Sequence, residues 1–143
     1  MIKKLGFTLM ELLVIVVIII ILAAIAVPSY SSYRIRSKVA VMINAASAAQ
    51  LAVANDYFNQ GYTFNNSDFA ANSQPFLVPA NDFITSIAVT NGIITVTGNA
   101  DKLGNKQINL VFTPSVTNNN ITWTCAVSTA FFDFVPASCQ NAL

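Results

Sequence analysis

The sequence predicts an α+β fold: one long N-terminal helix, over about 7–59, packed on a four-stranded antiparallel sheet. Three observations carry that expectation. An apolar run opens the chain and passes into a stretch whose apolar residues recur at three- and four-residue steps. No glycine or proline interrupts residues 29–60. Between 82 and 127, four short β-branched stretches alternate with turn signals.

The helix begins as a hydrocarbon-like segment. Leu12–Val27 carries no charge and is nearly all aliphatic. Counted from Phe7, the run is roughly 31 Å of helix, enough to cross a bilayer core of about 30 Å. Its second half is amphipathic. Val39, Met42, Ala46, Ala49, Val53 and Tyr57 fall on one face, and abundant alanine raises helicity. Gly61 supplies the stop. A helix built this way buries its tail against its own domain, whereas its head needs lipid or other copies.

Residues 60–81 read as a connecting loop, with Gly61, Pro75, Pro79 and asparagines at 65, 66, 72 and 81. The sheet follows over 82–127. Phe83–Val89 is its first strand, and Asn91-Gly92 signals a hairpin. Ile93–Thr97 is the second strand, Gln107–Phe112 the third and Ile121–Val127 the fourth, with Asn118–Asn120 joining the last two.

Composition excludes several functions. The 143 residues are 55% hydrophobic and 9% charged, with a net charge of +1, which gives no electrostatic basis for nucleic-acid binding. Histidine is absent, so a Ser-His-Asp triad, a Cys-His pair and a His-based zinc site are excluded. No catalytic constellation, phosphate loop or cofactor motif is present, and the chain is not expected to be an enzyme. Asp101-Lys102-Leu103-Gly104-Asn105 has a faint calcium-loop outline. It lacks alternating Asp/Asn ligands and a closing Glu, and reads as a polar turn. Cys125 and Cys139, the only two cysteines, suggest one disulfide and an oxidising compartment.

Three readings of the N-terminus compete. In the first it is a secretory signal peptide, with Lys3 and Lys4 as its basic region, Leu12–Leu22 as its apolar core and Ala24-Ile25-Ala26 as its cleavage site. In the second it is a plain membrane anchor. Lys3 and Lys4 before the span and Arg34, Arg36 and Lys38 after it leave the orientation open. The cysteines favour a C-terminal part that faces outward. The third reading starts from Glu11. A carboxylate beside a membrane-length apolar run is costly, and it favours a cationic partner. The α-amino group of a neighbouring copy would serve if cleavage made Phe7 the terminus.

Lys3-Lys4-Leu5-Gly6 followed by Phe7-Thr8-Leu9-Met10-Glu11-Leu12 resembles the class III leader of type IV pilins and the related pseudopilins. The resemblance is close over about 35 residues. It implies cleavage after Gly6 by a prepilin peptidase, N-methylation of Phe7, and an assembly role for Glu11. Pro28 falls at the family's helix proline, where a kink is implied. Ile20 stands where such pilins usually carry glycine, so local loosening of the helix rests on Pro28 alone. Thr122-Trp123-Thr124-Cys125 with Cys139 resembles the disulfide-bounded loop that closes many type IVa pilins.

The domains implied are a leader (1–6), a transmembrane or filament-core helix (7–28) and a globular domain (29–143). The globular domain comprises the half-helix 29–59, the loop 60–81, the sheet 82–127 and the disulfide loop 125–139. The function implied is a type IV pilus subunit, serving adhesion, twitching motility or DNA uptake. Its implied partners are other pilin subunits as a homopolymer, prepilin peptidase, the inner-membrane assembly machinery and the membrane before assembly. It would sit in the inner membrane, C-terminal domain periplasmic, and then in an extracellular pilus. After loss of Lys3 and Lys4, five cations face six carboxylates, which argues against nucleic-acid binding by the subunit alone. The alternatives are a pseudopilin of a type II secretion system and a secreted adhesin with an ordinary signal peptide.

Overall fold

Helix α1 runs from Leu9 to Asn59 without a break. The computed structural model describes residues 6–59, 61, 64, 69–70 and 82–143. The chain divides into two compact units, Met1–Arg34 and Ile35–Leu143, and α1 contributes to both.

In the first unit α1 continues through Pro28. Proline has no N–H, so the Ala24 carbonyl loses its usual helix partner. Two hydroxyls bond to carbonyls nearby. Ser29 Oγ donates to the Ile25 carbonyl at 3.3 Å, and Ser31 Oγ donates to the Pro28 carbonyl at 3.2 Å. A guanidinium carbon lies 6.0 Å from the Tyr30 ring centroid, where Arg34 covers that ring.

The second unit is a helix on a sheet. The buried residues of α1 are Val39, Met42, Ala46, Ala49, Val53 and Tyr57, the same six that the spacing places on one face. The sheet has six strands in the order of the chain: β1 (Phe69–Ala70), β2 (Ile84–Thr90), β3 (Ile93–Gly98), β4 (Asn109–Thr117), β5 (Asn120–Val127) and β6 (Asn141–Ala142). Register aligns the inward side chains into rows. Val89, Ile94, Phe112 and Cys125 face one another across β2 to β5, and Ile87, Val96 and Leu110 form the next row. All seven are buried, as expected when one face of a sheet covers a core.

The expected four-stranded antiparallel sheet needs correction at both edges. Phe69 and Ala70 lie in the predicted loop 60–81, yet they pair with Val89 and Ala88. Most of that loop lies outside the described residues. At the other edge β6 pairs with β5 in parallel, Asn141 opposite Ala126. The bond between Cys139 and Cys125 brings the chain back beside β5, and β6 follows two residues later. The third strand is also shifted. It starts at Asn109 and continues past Phe112 to Thr117. Pro114 lies opposite Trp123, two residues beyond the last β3 partner, Phe112. A proline there costs no bond to β3.

Two hairpins use the asparagine signals. Asn91 and Gly92 have φ of 50° and 79°, and Asn118 and Asn119 have φ of 51° and 62°. Each pair is the centre of a two-residue turn, and positive φ at both positions is the type I′ geometry that matches strand twist. Phe64 stacks on Tyr57 with ring centroids 4.5 Å apart. It also lies against the first turn, because a Cβ on Gly92 would come 2.7 Å from its Cδ1.

Candidate assembly segment and C-terminal loop

Thr8 is where α1 begins. Its Oγ1 accepts from the Glu11 backbone N–H at 3.2 Å, and its carbonyl accepts from the Leu12 N–H at 3.2 Å. A hydroxyl bonded to the third helical N–H is an N-cap, and Thr-x-x-Glu is the capping-box signature. Sequence reasoning weighed Glu11 as an insertion cost and as an assembly contact and missed this pattern, although Thr8-Leu9-Met10-Glu11 displays it. Glu11 is the acidic residue of the first turn, where the positive end of the helix dipole favours a carboxylate. Its side chain is exposed.

Gly6 and Phe7 precede the helix, and Phe7 is 69% exposed. Among the described residues, a Cβ on Gly6 would meet nothing within 4 Å, and its φ is not positive. Neither space nor backbone conformation therefore demands glycine at that position. From Phe7 to Val27 the large apolar side chains are 42–82% exposed, and none is buried. That much hydrocarbon surface favours an apolar environment at roughly 25 cal/mol per Å².

The sequence-predicted residues thus fall into two groups. Gly6, Phe7, Glu11 and Pro28 belong to the first unit, and Cys125 and Cys139 to the second. The disulfide closes with Cα atoms 4.5 Å apart. Inside the loop, 3-10 turns span Thr129–Phe134 and Ala137–Cys139. The three phenylalanines, Phe131, Phe132 and Phe134, do not form an exposed patch. Each is half-buried against the core.

Side-chain bonds tie the loop down. Gln140 Nε2 donates to the Phe132 carbonyl at 3.0 Å, and Asn141 Nδ2 donates to the Cys125 carbonyl at 2.7 Å. Arg36 Nε, on α1, donates to the Asp133 carbonyl at 2.8 Å. The Lys106 ammonium lies 5.3 Å from the Phe134 ring centroid. A groove of about 430 Å³ remains between Arg36 and Ala40 on one side and Phe132–Pro136 on the other. Nothing in the spacing of the sequence indicates the Arg36–Asp133 link, because it joins residues 97 positions apart.

Comparisons with known proteins agree with this arrangement. A family model described as pilin, a bacterial filament protein, matches residues 35–140. The fimbrial protein EcpC of Eikenella corrodens is 33% identical over 142 residues, covering 96% of this chain and 91% of that protein. The type IV major pilin protein PilE1 of Neisseria gonorrhoeae is 32% identical over 123 residues, covering 84% of this chain and 68% of its own length. A fimbrial protein of Neisseria meningitidis is 31% identical over 102 residues, covering 71% of this chain and 59% of that protein.

Proposed function

Because the chain belongs to the pilin family of bacterial filament subunits, we propose that it is a type IV pilus subunit polymerised through the first half of α1. In this reading the precursor is held in the inner membrane by residues 7–28, with its globular part on the periplasmic side. Prepilin peptidase cuts between Gly6 and Phe7 and methylates Phe7. The assembly machinery then draws the helix out of lipid and into the core of an extracellular filament.

The observation that carries this reading is the uncovered apolar segment Phe7–Val27, nearly all of it within α1. Lipid and packed aliphatic side chains are similarly apolar, so the transfer brings little hydrophobic gain. Close packing and charge pairing must then give the filament its register. Glu11, exposed one turn into the helix, is suited to pair with the ammonium group of Phe7 on a neighbouring copy. Gly6 supports the processing step, because the fold itself does not require glycine there. Pro28, lacking one helix bond, is a natural point for the helix to bend during transfer.

Mass analysis of the N-terminus tests the reading. Material sheared from the cell surface should begin with methylated Phe7. A chain that begins at Val27 would identify an ordinary signal peptide and remove the polymerisation mechanism. A chain that begins at methylated Phe7 but never appears in the sheared fraction would instead favour a pseudopilin.

A further inference from the structure

Every cation that follows Gly6 lies in one of two short stretches, Arg34–Lys38 and Lys102–Lys106. The second unit folds the members that belong to it, from Arg36 on, together. Lys38 Nζ donates to the Lys102 carbonyl. A Cβ on Gly104 would stand 3.4 Å from Ile35 Cδ1, which places the 102–106 turn beside the start of this unit's helix. Lys106 lies over Phe134, and the adjacent Asp133 carbonyl accepts from Arg36. Arg36, Lys38, Lys102 and Lys106 therefore share one corner.

The partners of these side chains decide what the corner can do. Among the described residues, Arg36 and Lys38 bond backbone carbonyls and Lys106 covers an aromatic ring, and none of these partners is a carboxylate. An ammonium has three donors and a guanidinium five, so most donors stay available. Asp101, next to Lys102, and Asp133, whose carbonyl Arg36 reaches, are both exposed near this corner, which leaves four positive charges against two negative ones. Arg36 follows Val27, the end of the apolar run, by only nine residues.

We infer that Arg36, Lys38, Lys102 and Lys106 form a docking surface for anionic phospholipid headgroups, which holds the globular unit on the membrane before assembly. The inference rests on the membrane reading of residues 7–28 given above. Charge complementarity selects the occupant. Clustered cations flanking a membrane segment are attracted to an anionic leaflet, with each basic residue near the surface strengthening binding about fivefold. The attraction is screened by salt. Cleavage at Gly6 would remove Lys3 and Lys4, so after processing all remaining side-chain cations lie on the C-terminal side of the span.

The test uses the full chain in phosphatidylcholine vesicles, with and without phosphatidylglycerol. The readout is the rate at which Lys38 reacts with a neutral amine-acylating reagent. Phosphatidylglycerol should slow the reaction about fivefold, and high salt should restore it. A variant with Arg36→Gln, Lys102→Gln and Lys106→Gln should lose the protection, and Lys102→Arg with Lys106→Arg should keep it. Equal rates in both vesicles overturn the inference. Slowing that persists in the glutamine variant reflects only the general field of a charged surface and also overturns it. Protection by inorganic phosphate or duplex DNA in phosphatidylcholine vesicles, with none from phosphatidylglycerol, replaces lipid by another anion. Flotation separates the two failures. A chain that floats with vesicles but shows lipid-independent labelling loses only the docking surface, whereas one that fails to float loses the membrane reading as well.

Discussion

The Glu11 backbone N–H donates to the Thr8 hydroxyl at 3.2 Å, closing the first turn of α1. Glu11 is therefore suited to its position twice over, by the local helix start and by the assembly contact proposed above. Glutamine separates the two roles, since it preserves the capping-box pattern and removes the charge. Glu11→Gln should leave membrane-held subunit at normal levels and block filament formation, as should Glu11→Ala and Glu11→Lys. Immunoblots of membrane and sheared fractions read the result. Wild-type filament yield from Glu11→Gln would show that charge does not set register.

Thr8→Val should act on the helix start alone. Losing a threonine N-cap costs about 1 kcal/mol. Amide exchange at Glu11 should quicken by about fivefold, while membrane insertion is unchanged. Unaltered exchange would mean that the Thr8 hydroxyl does not cap the helix.

Gly98 should tolerate no side chain. A Cβ there would come 2.6 Å from the Ile108 carbonyl oxygen, 2.6 Å from Leu103 Cδ1 and 3.2 Å from Met42 Cε. The Ile108 oxygen is held in place, because it accepts from the Gly98 N–H at 3.0 Å. Gly98→Ala should therefore destabilise the globular unit by about 1–3 kcal/mol, as overpacking does. A lowered denaturant midpoint with an unchanged slope is the expected signature.

Replacing both Cys125 and Cys139 by serine should remove about 3 kcal/mol on the chain-entropy account. The same change should release β6, whose pairing with β5 follows two residues after Cys139. Limited proteolysis should then cut first within 126–143. Resistance equal to wild type would show that Gln140, Asn141 and the packed phenylalanines hold the loop without the bond.

The last hairpin depends on left-handed backbone at Asn118 and Asn119, with φ of 51° and 62°. Asn119→Gly should be neutral or slightly stabilising, because glycine enters this region at no steric cost. Asn119→Val should cost about 1–2 kcal/mol. Thermal unfolding of the two variants in parallel checks the ordering.

Much of this molecule is determined by sequence, because the forces involved are local or periodic. The six buried positions of α1 follow from a repeat of about 3.6 residues. The turns at Asn91-Gly92 and Asn118-Asn119 follow from the few residues that accept positive φ. The exposed Phe7–Val27 run and the acid at its start are likewise visible as letters. Only the tertiary structure decides what long-range closure controls. It adds β1 and β6 as two-residue strands too short to carry a periodic signal. It runs β6 parallel to β5, beside the strand to which the disulfide returns the chain. It packs Phe131, Phe132 and Phe134 inward and brings Arg36, Lys38, Lys102 and Lys106 to one corner. Those contacts join residues far apart in the chain, and no spacing rule spans that distance.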